Sequence, residues 1–211
     1  MREIIKKIKQ AKEGSKPRKF RQSWDLTINV KGLDLKKPEN RFKFDFMLPE
    51  GRGKELKICV IADGLAAEAR KHADLVISRE EIPGLAKDKK RLKNLANEYD
   101  WFFGEAPLMA EIGKSLGVVL GTRGKMPKPV PPKVSIVPFI GRARKSAMVA
   151  LKETPVIHIP IGSDDMEPEM IATNAQAVFK AVTEKLPKGK NSIKSMYLKL
   201  TMGKPVKLEV V

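Results

Sequence analysis

Gly117-Val-Val-Leu-Gly121-Thr-Arg-Gly124-Lys-Met-Pro127-Lys-Pro-Val-Pro131-Pro132 is the stretch around which the rest of the chain is arranged. Three glycines and four prolines in these sixteen residues oppose a helix or an inner strand, because proline lacks the N–H and glycine has the most backbone entropy to lose. A shaped loop is expected, following a helix that ends near Gly117. Ahead of it, short apolar runs alternate with helical patterns; behind it, the two-residue period of the N-terminal region returns. The loop therefore marks the far side of an insertion. Its lysine raises the question of a phosphate loop, but Gly121 precedes Gly124 by three positions rather than five, and Met126 stands where Ser or Thr would hold magnesium.

The regions outside the insertion read as one architecture. Ile4, Ile5, Ile8 and Ala11 share one side of a short basic helix that Gly14 stops. Trp24, Leu26, Ile28 and Val30 alternate with Asp25, Thr27 and Asn29, and Phe42, Phe44, Phe46 and Leu48 repeat the alternation after a turn at 36–40. These are strands with one buried face each, the pattern of an antiparallel sheet. At the other end, Val156-Ile-His-Ile reads as a strand and Pro168 opens a helix with Ile171, Ala175, Val178, Phe179, Val182 and Leu186 inward. Met196, Leu198, Leu200 and Met202 then alternate, as do Val206, Leu208 and Val210.

Between them the period changes. Ile58-Cys-Val-Ile, Leu75-Val-Ile and Trp101-Phe-Phe are continuous apolar runs separated by helical patterns, which indicates parallel pairing with helices on both faces. Val134 to Val137 is expected at the sheet edge, and Ile140, Ala143, Ala147 and Leu151 are expected to line one helix. Because two strands cannot bury a face alone, residues 1–53 and 155–211 are expected to form one split α+β sandwich domain, an antiparallel sheet with helices. Residues 54–154 form an inserted Rossmann-like α/β domain. Asp63-Gly-Leu-Ala-Ala-Glu lacks the glycine fingerprint of dinucleotide sites.

Composition points to a polyanion. The formal charge is +17 over 211 residues, and such self-repulsion is best offset by nucleic acid. Residues 1–54 hold 16 Lys and Arg against 7 Asp and Glu, residues 55–154 hold 18 against 12, and residues 155–211 hold 8 against 6. The single cysteine, Cys59, lies in an apolar run and reads as a core residue. No run suits a signal peptide or membrane span, so a cytoplasmic protein with no membrane partner is expected.

No catalytic or metal constellation is visible, and no cofactor is expected. His72 and His158 have no carboxylate at catalytic or ligand spacing. Asp164, Asp165, Glu167 and Glu169 precede and enter a helix, where its dipole favours carboxylates. Two features suit RNA better. Lys19-Phe20 joins a basic run to an aromatic that could stack on a base or staple against the sheet. Tyr197, Lys199 and Thr201 form a polar stripe, and Met202-Gly203 at its end either brings bare backbone close to a ligand or makes an ordinary hairpin turn.

The run Leu120-Gly121-x-Arg123-Gly124-x-Met126-Pro127 resembles the signature of the L-one family, the large-subunit proteins of the mobile ribosomal stalk, most closely in its archaeal branch. The resemblance covers nearly the whole chain; Thr122 departs from it, since the family usually has proline there. It implies a split first domain with an inserted second one, and no enzyme activity. It further implies binding to the stalk region of large-subunit ribosomal RNA, a part in release of exit-site transfer RNA, repression through its own messenger RNA, and a monomer when free. Carried over by position, the implied RNA-binding residues are Lys19 and Phe20 together with Thr201, Met202 and Gly203. Gln22, Ser23, Ser195 and Tyr197 are neighbours on the same face, and His158 is either near that surface or simply an outward strand residue. The competing expectation, an enzyme using nucleotides on the Rossmann-like domain, conflicts with the missing phosphate fingerprint.

Overall fold

The structure, a computed structural model, describes residues 1–209. The chain forms two units, an outer one of residues 1–54 with the chain from 145 onward, and an inserted one of residues 55–144. Helix α1 (Arg2–Glu13) buries Ile8 and Ala11, with Ile4 and Ile5 packed beside them. Glu3 in its first turn and Lys12 in its last both suit the helix dipole. Strand β1 (Ser23–Val30) keeps the two-residue period, burying Trp24, Leu26, Ile28 and Val30 while the residues between them stay half-exposed. After a 3-10 turn at Pro38–Asn40 comes β2 (Phe42–Met47), whose phenylalanines pack against the core.

In the inserted unit the strands lose that alternation. β3 (Ile58–Ile61) and β5 (Trp101–Glu105) are buried at every position. With β4 (Leu75–Ile77) and β6 (Lys128–Val130) they make a parallel sheet of order β4-β3-β5-β6. Its connections carry α2 (Ala66–His72), α3 (Ile82–Lys87), α4 (Lys89–Glu98) and α5 (Met109–Thr122); α6 (Val137–Arg144) follows β6. Cys59 is fully buried, and that burial pushes its thiol up to about 12, so it acts as a small core side chain.

The chain then returns to the outer unit through β7 (Ser146–Leu151), β8 (Val156–Ser163), α7 (Pro168–Lys185), β9 (Ile193–Leu200) and β10 (Val206–Leu208). An antiparallel sheet runs in the order β10-β9-β1-β8, and β2 and β7 form a two-stranded antiparallel sheet. Trp24, Leu26 and Ile28 share one core with Ile8 of α1 and with Ile171, Val178 and Val182 of α7. Each such side chain contributes about 1.5–3 kcal/mol by leaving water. Both helices therefore cover the same face of the four-stranded sheet, and Asp25, Thr27 and Asn29 point to the other.

Several expectations are corrected. The glycines at 117 and 121 do not end a helix: α5 runs on to Thr122, burying Leu116, Val119 and Leu120. A helical glycine costs about 1 kcal/mol relative to alanine, less than burial of a leucine recovers. The terminator is Gly124 at φ 68°, where the amide of Gly124 donates to Gly121 O and that of Lys125 to Leu120 O, closing the helix in a Schellman motif. Pro129 does enter a sheet, at the edge strand β6, where a missing N–H is tolerated. That edge is therefore 128–130 and not 134–137, and Val137 instead begins α6.

The helix expected through Ile140, Ala143, Ala147 and Leu151 ends at Arg144. Ala147, Val149 and Leu151 lie opposite Phe46, Phe44 and Phe42 on β2, which would otherwise lack a hydrogen-bonded neighbour. The second crossing thus lies at 144–145, and residues 145–154 belong to the outer unit rather than to the insertion. The same pairing separates β2 from β1, which do not share a sheet. Met202 is exposed in a turn beyond β9 and does not extend the buried set. Val210 lies outside the described residues.

Candidate nucleic-acid interface

The register of the four-stranded sheet assembles a polar face from residues far apart in sequence. On β1, Asp25, Thr27 and Asn29 stand opposite Lys199, Tyr197 and Ser195 of β9, and Thr27 also stands opposite His158 of β8. Lys207 of β10 continues the row beside Tyr197. The face is partly locked by its own bonds: Thr27 Oγ1 and His158 Nδ1 share one at 3.1 Å, and Asn29 Nδ2 donates to Ser195 Oγ at 2.9 Å. Burial pushes the Asp25 carboxyl above its ordinary value, while Lys199, Arg52 and His158 pull it back. Hydroxyls, an imidazole, a phenol and cations on one pleated surface suit a ligand rich in hydroxyls and phosphates.

At one corner of this sheet the N-terminal approach to β1 meets the turn after β9. The amide of Thr201 donates to Ser23 O at 3.0 Å, and the amide of Ser23 donates to Thr201 Oγ1 at 3.0 Å. The amide of Met202 donates to Gln22 Oε1 at 3.1 Å, and that of Gly203 to Leu200 O at 2.9 Å. Asp164 holds the other side, its Oδ2 accepting from the Gln22 amide at 3.1 Å and its own amide donating to Gln22 O at 3.0 Å. Arg21 forms an ion pair with Asp165. A cleft of about 330 Å³ beside this corner is lined by Lys12, Lys16, Arg18 and Asp164 among others.

This bonding sorts the expected residues. Lys19, Phe20 (52% exposed), Thr201 and Met202 (57% exposed) reach solvent at the corner, and His158 reaches it from β8. Tyr197 is half-buried within the face. Gln22 is only 4% exposed and Ser195 8%, so the first supports the turn and the second anchors Asn29. The backbone of Gly203 is not left-handed, yet a Cβ there would lie 3.1 Å from Leu200 Cβ, tight enough to shift the turn. Asp164 and Asp165, expected only to face a helix dipole, instead brace the corner; no spacing in the sequence announces a bond from residue 164 to residue 22.

The inserted unit holds its polar groups differently. Glu105, at the end of β5 and 7% exposed, accepts through Oε2 from the amides of Asp63 at 2.8 Å and Gly64 at 3.0 Å. In a Rossmann site those amides, following the first strand, would face a phosphate; here a carboxylate already takes them. Lys125 donates to Ala96 O at 2.9 Å and Tyr99 O at 2.7 Å, carbonyls at the end of α4, and burial lowers its pKa. It is a helix-capping cation, not a phosphate-loop lysine. His72 ends α2 and its carbonyl accepts from Arg144.

The chain is similar to known proteins over nearly its whole length. The pattern described as the ribosomal protein L1p/L10e family matches residues 6–204. The chain is 49% identical over 208 residues to large ribosomal subunit protein uL1 of Thermococcus kodakarensis, covering 98% of this chain and 96% of that one. It is 47% identical to uL1 of Methanothermobacter thermautotrophicus, with 98% of each chain covered, and 47% identical to uL1 of Pyrococcus horikoshii, with 98% and 95% covered.

Proposed function

Because the chain belongs to the ribosomal protein L1p/L10e family, in its archaeal form, we propose that it grips the stalk region of large-subunit ribosomal RNA with the open sheet face of its outer unit. The coarser role follows from membership: it is a structural, non-enzymatic protein of the large ribosomal subunit, associated with that subunit's RNA in the cytoplasm. In the finer reading, Lys19, Phe20, Thr201, Met202 and Gly203 form the contact corner. Gln22 and Ser23 hold it, and Tyr197, Ser195 and His158 lie along the adjoining face. Through the stalk the protein takes part in release of exit-site transfer RNA, and through a similar element in its own messenger RNA it represses translation.

The observation that carries this reading is the asymmetry of one sheet. Its buried face is covered by α1 and α7, while the opposite face ends in a corner that offers a cation, an aromatic ring and a thioether to solvent. Such a surface reads folded RNA by shape, 2′-hydroxyls and stacking, with lysines neutralising phosphates. A chemical footprint on deproteinised archaeal large-subunit RNA tests it. One protected stalk element is expected; scattered weak protection, or none, would remove the reading.

A further inference from the structure

We propose that the start of α4, in the inserted unit, is a second RNA-contacting surface, one that grips phosphates by charge and adds to the footprint of the outer unit. This inference rests on the RNA-binding reading above but on different residues. Lys87 closes α3, and Lys89, Lys90, Arg91 and Lys93 fill the opening of α4, all five exposed. Asp88 caps α4, accepting from the Arg91 amide at 2.9 Å, and the first turn holds no acid. Among the described residues, none of the five cations is in an ion pair. Elsewhere in this unit several cations are matched, Lys57 with Glu98, Arg79 with Glu111, Arg144 with Asp74, and Lys128 over the Trp101 ring at 3.8 Å, and no other stretch of it places five exposed cations within seven residues.

The placement works against the helix. Cations at a helix N-terminus oppose the macrodipole, and Lys89 with Lys93 and Lys90 with Lys93 are like charges at repelling spacings. Stability alone would select acids there. A surface that gathers unpaired cations at the end of a helix that disfavours them suits a polyanion, which relieves both penalties on binding. The stripe also continues along α4: Asn94 and Asn97 are exposed on the same side, and Arg123 donates to Asn97 Oδ1 at 3.2 Å, adding a sixth cation. The acid on α4 itself, Glu98, is taken by Lys57. Amide and guanidinium groups beside lysines suit a sugar–phosphate backbone, since they offer donors without sequence readout.

The test uses the full chain and a variant with Lys89→Gln, Lys90→Gln and Lys93→Gln, keeping Arg91 and its cap. Binding to deproteinised archaeal large-subunit RNA and to poly(U) is titrated across salt. Losing three phosphate contacts should make the slope of log affinity against log salt shallower by about 2 to 3 on both RNAs. The variant should also melt no lower than the parent at low salt, because its repulsion is relieved. Thr201→Val, by contrast, should lower affinity for ribosomal RNA without changing the slope. An unchanged slope in the triple variant on both RNAs overturns the proposal, as does loss of binding to poly(glutamate) with RNA binding intact, which would make the partner an acidic protein. A parent that binds both RNAs equally while the slopes still differ would instead remove the stalk-binding reading and leave this surface standing.

Discussion

The two four-stranded sheets of this protein, one antiparallel and one parallel, bury their faces in opposite ways. In the outer unit β1 alternates, so Ile28 at 0% exposure sits beside the exposed-side residues Thr27 and Asn29. In the inserted unit β3 is buried at all four positions. A sheet covered on both faces keeps only its loops, edges and surrounding helices for a ligand, whereas a sheet covered on one face offers a ready-made surface the width of four strands. The difference explains why the proposed shape-reading contacts lie on the outer sheet and the proposed charge contacts on a helix of the insertion.

Substitutions along adjacent strand positions test that contrast with the largest effects. Ile28→Ala should destabilise the outer unit by about 2–5 kcal/mol, while Thr27→Ala should cost no more than about 1 kcal/mol. In β3 the alternation should vanish, with Val60→Ala and Ile61→Ala each costing more than about 1 kcal/mol. Urea unfolding can follow the units separately, since Trp24 reports on one and Trp101 on the other. Equal costs at 27 and 28 would break the comparison.

Next in size is the contact corner. Thr201→Val removes a hydroxyl that accepts from the Ser23 amide and faces solvent. At about 1–3 kcal/mol for an unmade bond, RNA affinity should fall roughly five- to a hundred-fold, with a small loss of melting temperature from the Ser23 contact. A titration showing parental affinity would make the corner an ordinary turn. In the insertion, Glu105→Ala should cost about 1–3 kcal/mol by stranding the Asp63 and Gly64 amides, and should leave RNA binding as it was.

The smallest effect concerns Asp25, a carboxylate on a face proposed to meet phosphates. Its pKa is raised above the ordinary 3.8, chiefly by burial. The folded state therefore holds its proton more tightly than the unfolded chain, and stability falls as pH rises from about 3.8 through that raised value. Asp25→Asn should consequently be slightly more stable at neutral pH and bind RNA a few-fold more tightly, with the difference fading as pH falls below the Asp25 pKa. Weaker RNA binding by this variant would place the RNA elsewhere.

Much of this was legible because burial leaves a period in the sequence. Trp24, Leu26, Ile28 and Val30 announced a half-buried strand, and Ile58-Cys-Val-Ile a fully buried one. In the stretch from Gly117 the local preferences of glycine and proline are overridden by their surroundings: Val119 and Leu120 hold the helix, and an edge strand accepts Pro129. Ala147 and Leu151 satisfy helical spacing and strand alternation alike, and only the need of β2 for a partner decides between them. The corner was half legible. Lys19-Phe20 and Thr201-Met202-Gly203 stand out as motifs, but Asp164 and Gln22 act through bonds spanning about 140 and 180 residues, which only the fold brings together.

The most direct test of the central claim separates the units. A protein in which residue 54 is linked to residue 145 retains the whole outer unit, and its preference for stalk RNA over poly(U) can be set against that of the intact chain and of residues 55–144 alone. Charge contacts from α4 act on both RNAs, so they cancel in this ratio. The linked outer unit should keep a preference within about tenfold, or 1.4 kcal/mol, of the intact chain, and the excised insertion should show none. Preference retained by residues 55–144 and lost from the linked outer unit would contradict the account.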